Sequence, residues 1–336
     1  MTRGAGSSTA GEGRSLRVLH KDGAPEWVHA PLDPQTSAGD VLVQVEHSSL
    51  NYKDALAATG QAPVLKTHPL TLGIDAAGVV VESSDDRHAV GGRVVVTGFG
   101  MSESHDGGWA DWIRVPGDWL VGLPEGLTGE QAMGLGTAGL TTALAIHRLE
   151  EHGLRPGDGP VAVTGASGGA GMLAVAMLAG LGHEVVAMSG RPGSHDLLRR
   201  LGAASVEGRP DVSALRPLSS ARWAGAVDCV GGAPLAWLLS GTRHGGSVAT
   251  FGNAAGNNLP TSVLPFILRA VNLLGVNTGW FDAGLRARLW QRMATDLRPG
   301  RLDEIARTES LNDALRFSAE LMDGRVTGRI ALEVSR

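Results

Sequence analysis

Residues 161–171, VAVTGASGGAG, pass from a short apolar run into a turn that carries Gly165, Gly168 and Gly171 at G-x-x-G-x-x-G spacing. Small residues there let the backbone close on a pyrophosphate, and the helix-compatible MLAVAMLAGLG that follows turns its unpaired N–H groups toward the anion. A second apolar run, EVVAMSGR, arrives about 20 residues later and ends in Ser189, Gly190 and Arg191. An NAD site places Asp or Glu at that end for the ribose hydroxyls; here Arg191 offers a cation to a 2′-phosphate and Ser189 a hydroxyl. The two segments together predict NADPH. The plainer alternative for Arg191 is a solvated charge in a strand-to-helix loop.

Such groups must be held at the ends of parallel strands. Candidate strands lie at 161–165, 184–190, 204–207, 225–231, 246–252 and 271–277, with helical stretches between most of them, which predicts an α/β fold with a doubly wound parallel sheet. The preceding part has another texture. DVLVQVEHSSL (40–50), GVVVES (78–83), RVVVTGFG (93–100) and WIRVPGDWL (112–120) are β-rich, are broken by Gly and Pro, and lack helical spacers, as in a compact, partly barrel-like β domain. GRVTGRIALEV (324–334) again reads as strand, so the chain is expected to return to that domain after a helix over 285–297.

Composition narrows the function. The chain has 336 residues, 43% of them hydrophobic, enough for two cores, and a net charge of −5 with no Lys/Arg cluster, which argues against a phosphate-tracking nucleic-acid binder. No stretch is apolar enough to span a bilayer, and MTRGAGSSTAGEGR (1–14) lacks the apolar centre of a secretion signal, so a cytoplasmic protein with a flexible tail is expected. Cys229, the single cysteine, cannot build a thiolate-rich metal site, and the 11 histidines form no H-E-x-x-H pair. No metal is expected. In GAVDCVG, Cys229 reads as a buried, inert thiol.

SSLNYKDALAATG (48–60), GIDAAGVV (73–80), GTAGLTTA (136–143), TGASGGAG (164–171), RWAGAVDCVGG (222–232) and LPFILRAVNLLGVN (264–277) together resemble the medium-chain dehydrogenase/reductase superfamily. Within it they are most similar to the zinc-free NADPH-dependent acrylyl-CoA reductase branch. The resemblance covers nearly everything after about residue 15. It implies a GroES-like β-rich catalytic domain over 15–128, a Rossmann domain over 129–282, and a C-terminal return over 283–336. Zinc-dependent members carry G-H-E where this chain has Gly73-Ile74-Asp75, so the ligand histidine is replaced by isoleucine. An alcohol then loses its Lewis acid, whereas a conjugated carbonyl can take hydride at its β-carbon and hold the resulting enolate by hydrogen bonds.

Asn51, Tyr52 and Asp54 are the residues that could supply those bonds, because in relatives of this type the N-x-x-D segment borders the nicotinamide. Tyr52, with an ordinary phenol pKa of roughly 10, stays protonated near neutral pH and could donate to a thioester oxygen or relay a proton to the α-carbon. Packing over the nicotinamide is its alternative role. Asn51 could hold the nicotinamide or the substrate carbonyl, or simply form a turn; Asp54 could cap the helix begun by DALAATG; Asp75 reads as a buried structural acceptor.

The resemblance carries cofactor contacts over position by position. Ser167, Gly168, Gly169 and Ala170 match the pyrophosphate turn, Ser189, Gly190 and Arg191 the adenosine-phosphate site, and Thr141 a hydroxyl on the nicotinamide side. Asn253, Ile267 and Thr278 match further contacts after the fifth strand and around the sixth. Related chains often have Leu and Ser where this one has Asn253 and Thr278. A basic residue expected just after LGA (201–203) is absent, which places more weight on Arg191. Expected activities are acrylyl-CoA reduction, quinone or enone reduction with the same cofactor, or NADPH binding without turnover. Lys66, Arg114 and Arg269 could meet coenzyme A phosphates, with a solvated surface charge as the plainer reading of each. The run VLPFILRAVNLLGVN (263–277) is apolar beyond what one buried strand needs, and the resemblance implies a homodimer in which the sixth strands of two subunits pair across a twofold axis; a capped edge strand in a monomer is the alternative.

Overall fold

The computed structural model describes residues 12–33, 35–213 and 215–334. Six parallel strands form the nucleotide sheet, in the spatial order Ser205–Glu207, Val185–Met188, Val161–Val163, Trp223–Asp228, Thr242–Thr250, Asn272–Gly275. Numbered along the chain this is 3-2-1-4-5-6, the order that leaves a crevice at the C-terminal ends of the first and fourth strands. Each of the six strand candidates falls on one of these strands. Val161, Val163, Val185 and Val227 are fully buried, as parallel strands covered on both faces require.

The first domain is antiparallel. Val41–Leu50 is its spine, pairing with Asp75–Ser83, with Trp112–Val115 and with the C-terminal strand Arg329–Glu333, while Arg93–Thr97 extends the sheet from Asp75–Ser83. A smaller sheet joins Glu12–Val18 to Glu26–Pro31 and Leu70–Thr71. Residues 12–14, assigned by sequence to the tail, are therefore strand: Glu12, Gly13 and Arg14 pair with Pro31, Ala30 and His29. The rest of that tail lies outside the described residues. In 112–120 the strand stops at Val115, because Pro116 has no N–H to donate to a ladder, and a single turn follows at Gly117–Trp119. In 324–334 it starts only at Arg329, since Gly324 and Gly328 take left-handed backbone at φ 69° and 73°.

Two helices join the units. Gly129–Glu151 kinks at Gly136 (φ 51°, ψ −153°) and packs on both sheets. Ala283–Ala294 buries Leu289, Trp290 and Met293 in the core that holds Val161, Val163 and Leu173, so the chain regains the first sheet with the later strands Ala306–Ser310 and Arg329–Glu333.

Candidate functional site

The glycine turn is built for close backbone approach. Gly165 takes φ 61°, the Gly168 N–H donates to its carbonyl at 2.9 Å, and a Cβ on Gly171 would stand 2.2 Å from the same oxygen. Helix Gly169–Gly180 starts there, so its free N–H groups face the crevice beside Ser167, Gly168, Gly169 and Ala170. The turn is braced from the first domain: Gly168 bridges Gly328, and the Arg329 side chain lies against Gly169, its Cδ 2.6 Å from where a Cβ would be.

Arg329 is a residue that sequence reasoning missed. Buried at 5% exposure, it donates from Nη1 to the Leu50 carbonyl (2.9 Å) and to Asn51 Oδ1 (3.1 Å), and from Nε to the Gly134 carbonyl (3.2 Å). Burial lowers its pKa, opposed by the charges of Asp75 and Asp54. Its one available signal was an arginine inside the apolar strand RIALE.

Asn51 caps helix Tyr52–Thr59 and sits in a dense polar knot. Its Nδ2 donates to Asp75 Oδ2 (2.8 Å), Ser49 Oγ (3.0 Å) and Asp54 Oδ2 (3.1 Å), and its N–H donates to Asp54 Oδ2 (2.9 Å). Asp54 also accepts the Ile74 N–H at 2.9 Å. Burial, then the nearby Asp75 carboxylate, pushes the Asp54 pKa up to about 7 against these hydrogen bonds. Asp75 takes four donors: Ser49 Oγ, Asn51 Nδ2, Thr137 N and Thr137 Oγ1. Tyr52 differs from its neighbours, with a side chain 47% exposed and no hydrogen-bond partner among the described residues.

A second junction closes the other side. Thr141 and Thr278, 137 residues apart, bring their hydroxyls to 2.7 Å. Arg286 fixes that corner by donating to the Thr278 carbonyl (2.9 Å) and to Thr97 Oγ1 (2.9 Å), its guanidinium between the rings of Phe99 and Phe281. Burial lowers its pKa to about 10. Thr97 pairs with Asp75 across the sheet, so the two junctions end on paired neighbouring strands, Asp75–Ser83 and Arg93–Thr97.

At the end of strand Val185–Met188, Ser189 Oγ accepts the Arg191 N–H (3.1 Å), and the Arg191 guanidinium donates to the carbonyls of Gly324 (2.7 Å) and Val326 (3.1 Å). Arg209 lies across Gly190, its Nε 2.5 Å from a Cβ position there. It is a second cation at this end, which the LGA spacing did not reveal. Asn253 is exposed and donates to Asn257 Oδ1. Ile267 is 68% exposed on the short helix Leu264–Arg269, whose Arg269 reaches the Thr242 carbonyl at the start of its strand, and no hydrogen bond among the described residues joins it to the Thr141–Thr278 pair.

These residues do not suit zinc. Ile74, where the resemblance places a ligand histidine, is a buried hydrocarbon, the Asp75 carboxylate is taken by four donors, and no group of three or more His, Cys, Asp or Glu among the described residues is placed to hold a metal ion. The Cys229 thiol is pushed up by burial and the neighbouring Asp228 charge.

Residues 37–125 match the alcohol dehydrogenase GroES-like domain family, and residues 169–294 match the zinc-binding dehydrogenase family. Acrylyl-CoA reductase AcuI of Ruegeria pomeroyi is 46% identical over 299 residues, covering 88% of this chain and 91% of its own. The putative quinone oxidoreductase YhfP of Bacillus subtilis is likewise 46% identical, over 88% of this chain and 90% of its own. Its crystal structure with NAD bound superposes with a TM-score of 0.90 and 42% identity over 96% of this chain and 99% of that one. The yhdH oxidoreductase of Salmonella enterica, solved in complex with NADP, gives a TM-score of 0.92 and 44% identity over 96% and 100%. The chain thus belongs to the medium-chain dehydrogenase/reductase superfamily, as an oxidoreductase of the branch that contains AcuI, YhdH and YhfP.

Proposed function

We propose that the protein reduces the carbon–carbon double bond of a short α,β-unsaturated acyl-CoA, acrylyl-CoA to propionyl-CoA, with NADPH and without metal. One observation carries this: Arg329 runs from the glycine turn at Gly169 to Asn51, which sets the Tyr52 hydroxyl, without a hydrogen-bond partner among the described residues, at the domain junction. The name of the AcuI relative and the NADP bound to the yhdH relative support it. The glycine cradle fits a pyrophosphate, and Arg209 across Gly190, with Arg191 next in the chain, fits a 2′-phosphate. When bound, NADPH supplies the hydride that adds to the β-carbon.

The protein's part is positioning and charge stabilisation. Thr141 and Thr278 offer paired hydroxyls toward the nicotinamide side, and Asn51, held by Arg329 and Asp75, fixes the first turn of the Tyr52 helix. Tyr52 donates to the thioester oxygen as the enolate develops, or passes a proton to the α-carbon. Asp54 braces Asn51. A homodimer and a cytoplasmic location go with this reading. Similarity to the quinone oxidoreductase YhfP favours one second reading, quinone or enone reduction at the same site.

NADPH oxidation measured with acryloyl-CoA, crotonyl-CoA, 1,4-benzoquinone and no acceptor decides between them. Acryloyl-CoA should give the highest kcat/KM. A higher value for benzoquinone moves the assignment to the second reading, and oxidation no faster than the acceptor-free rate with every substrate overturns both.

A further inference from the structure

The chain carries 29 basic residues, of which only three are lysines: Lys21, Lys53 and Lys66. Two of the three converge on one carboxylate. Lys53 Nζ pairs with Glu103 Oε1, and Lys66 Nζ lies 2.8 Å from Glu103 Oε2. The Lys66 N–H also donates to the Glu103 carbonyl at 2.6 Å, which ties the segment around Lys66 to the loop after Arg93–Thr97. That loop runs from the Thr278 junction to the start of the Tyr52 helix. At its start the Phe99 N–H donates to the carbonyl of Gly279, next to Thr278; at Glu103 it meets Lys53, next to Tyr52.

We propose that Lys53 and Lys66, pre-placed by Glu103, form a cationic rim that binds the phosphates of the acceptor's coenzyme A tail. This rests on the acyl-CoA reading above and deepens it. The trio has a net charge of +1, and each ammonium group has three donors, so it can keep Glu103 and still reach phosphate oxygens. With Lys66 67% and Lys53 41% exposed, little desolvation opposes an incoming anion. Lysine acts on phosphate as a mobile point charge, which suits a flexible tail, whereas Arg191 and Arg329 are fixed by carbonyls. The other cations considered are committed elsewhere. Arg269 donates to the Ser219, Ser240 and Thr242 carbonyls, and Arg114 pairs with Glu82.

The test compares acryloyl-CoA with acryloyl-N-acetylcysteamine, which keeps the thioester and lacks every phosphate. In a Lys53→Met/Lys66→Met double variant the KM for acryloyl-CoA should rise roughly five- to thirtyfold. KM for the truncated thioester and for NADPH should hold, and kcat should change by less than about twofold. Added salt should raise the acryloyl-CoA KM of the wild type and leave that of the variant flat. Lys66→Met alone, at an exposed position, should give about a threefold rise and serves if the double variant fails to fold. An unchanged acryloyl-CoA KM, or equal losses on both thioesters, overturns the rim. If the wild type reduces neither thioester, the acyl-CoA reading falls and takes the rim with it; if it reduces both and the lysines make no difference, the rim alone falls.

Discussion

Tyr52 is the only tyrosine of the chain, and its surroundings differ sharply from those of Asn51 one position earlier. Asn51 is held by Asp75, Asp54, Ser49 and Arg329, while the Tyr52 ring is half-exposed and its hydroxyl meets no protein group among the described residues. A buried polar group without a partner would be costly, but a half-exposed phenol keeps its hydrogen bond with water and can exchange it for one with an acceptor. Tyr52→Phe preserves the ring and removes the donor. Turnover with acryloyl-CoA should fall by roughly 10²–10⁴ while the KM for NADPH stays within about twofold. A Phe variant that retains most of its turnover would make Tyr52 a packing residue, leaving protonation to solvent and catalysis to positioning.

Helix Tyr52–Thr59 begins on a carboxyl group with an unusual charge balance. Burial and Asp75 raise the Asp54 pKa to about 7, above its unfolded value, so between about pH 4 and 7 the folded state keeps a proton that the unfolded state has released. The Asp54 contribution to stability is therefore full below about pH 4, declines as pH rises through 7, and is flat above that. Asp54→Asn cannot ionise. Its melting temperature should gain on the wild type by roughly 2–5 °C between pH 5 and pH 8, whichever protein melts higher at the start. A constant gap would show that Asp54 keeps one protonation state throughout. Elements of this kind were largely legible in the sequence, because a glycine turn, an apolar run or an N-x-x-D helix start is a local pattern. What ties them together was not. Arg329 meets Asn51 across 278 residues, Thr141 meets Thr278 across 137, and Arg209 reaches Gly190 only because neighbouring strands are in register. Residues 12–14 failed for the same reason, since their strand depends on pairing with 29–31.

At the scale of the molecule, the nucleotide sheet ends on Asn272–Gly275, which pairs on one side only among the described residues. An uncovered strand edge is a template for another chain. Beside it, Val263, Ile267 and Leu268 are each at least 60% exposed and Leu273 is 36% exposed, an apolar surface that a monomer would have to leave in water. A twofold axis along this edge would continue the sheet into a second copy and cover those side chains with their own counterparts. Light scattering should therefore give about twice the chain mass of 34.7 kDa. Leu268→Glu would place two like charges near each other across the axis and bury them against apolar groups, so it should shift the protein to a single chain mass at micromolar concentration. Its secondary structure should be retained, because Leu268 packs on no core in the isolated chain. A wild type that scatters as 34.7 kDa would make the strand a capped monomer edge. A Leu268→Glu variant that stays at twice that mass would move the interface to another face.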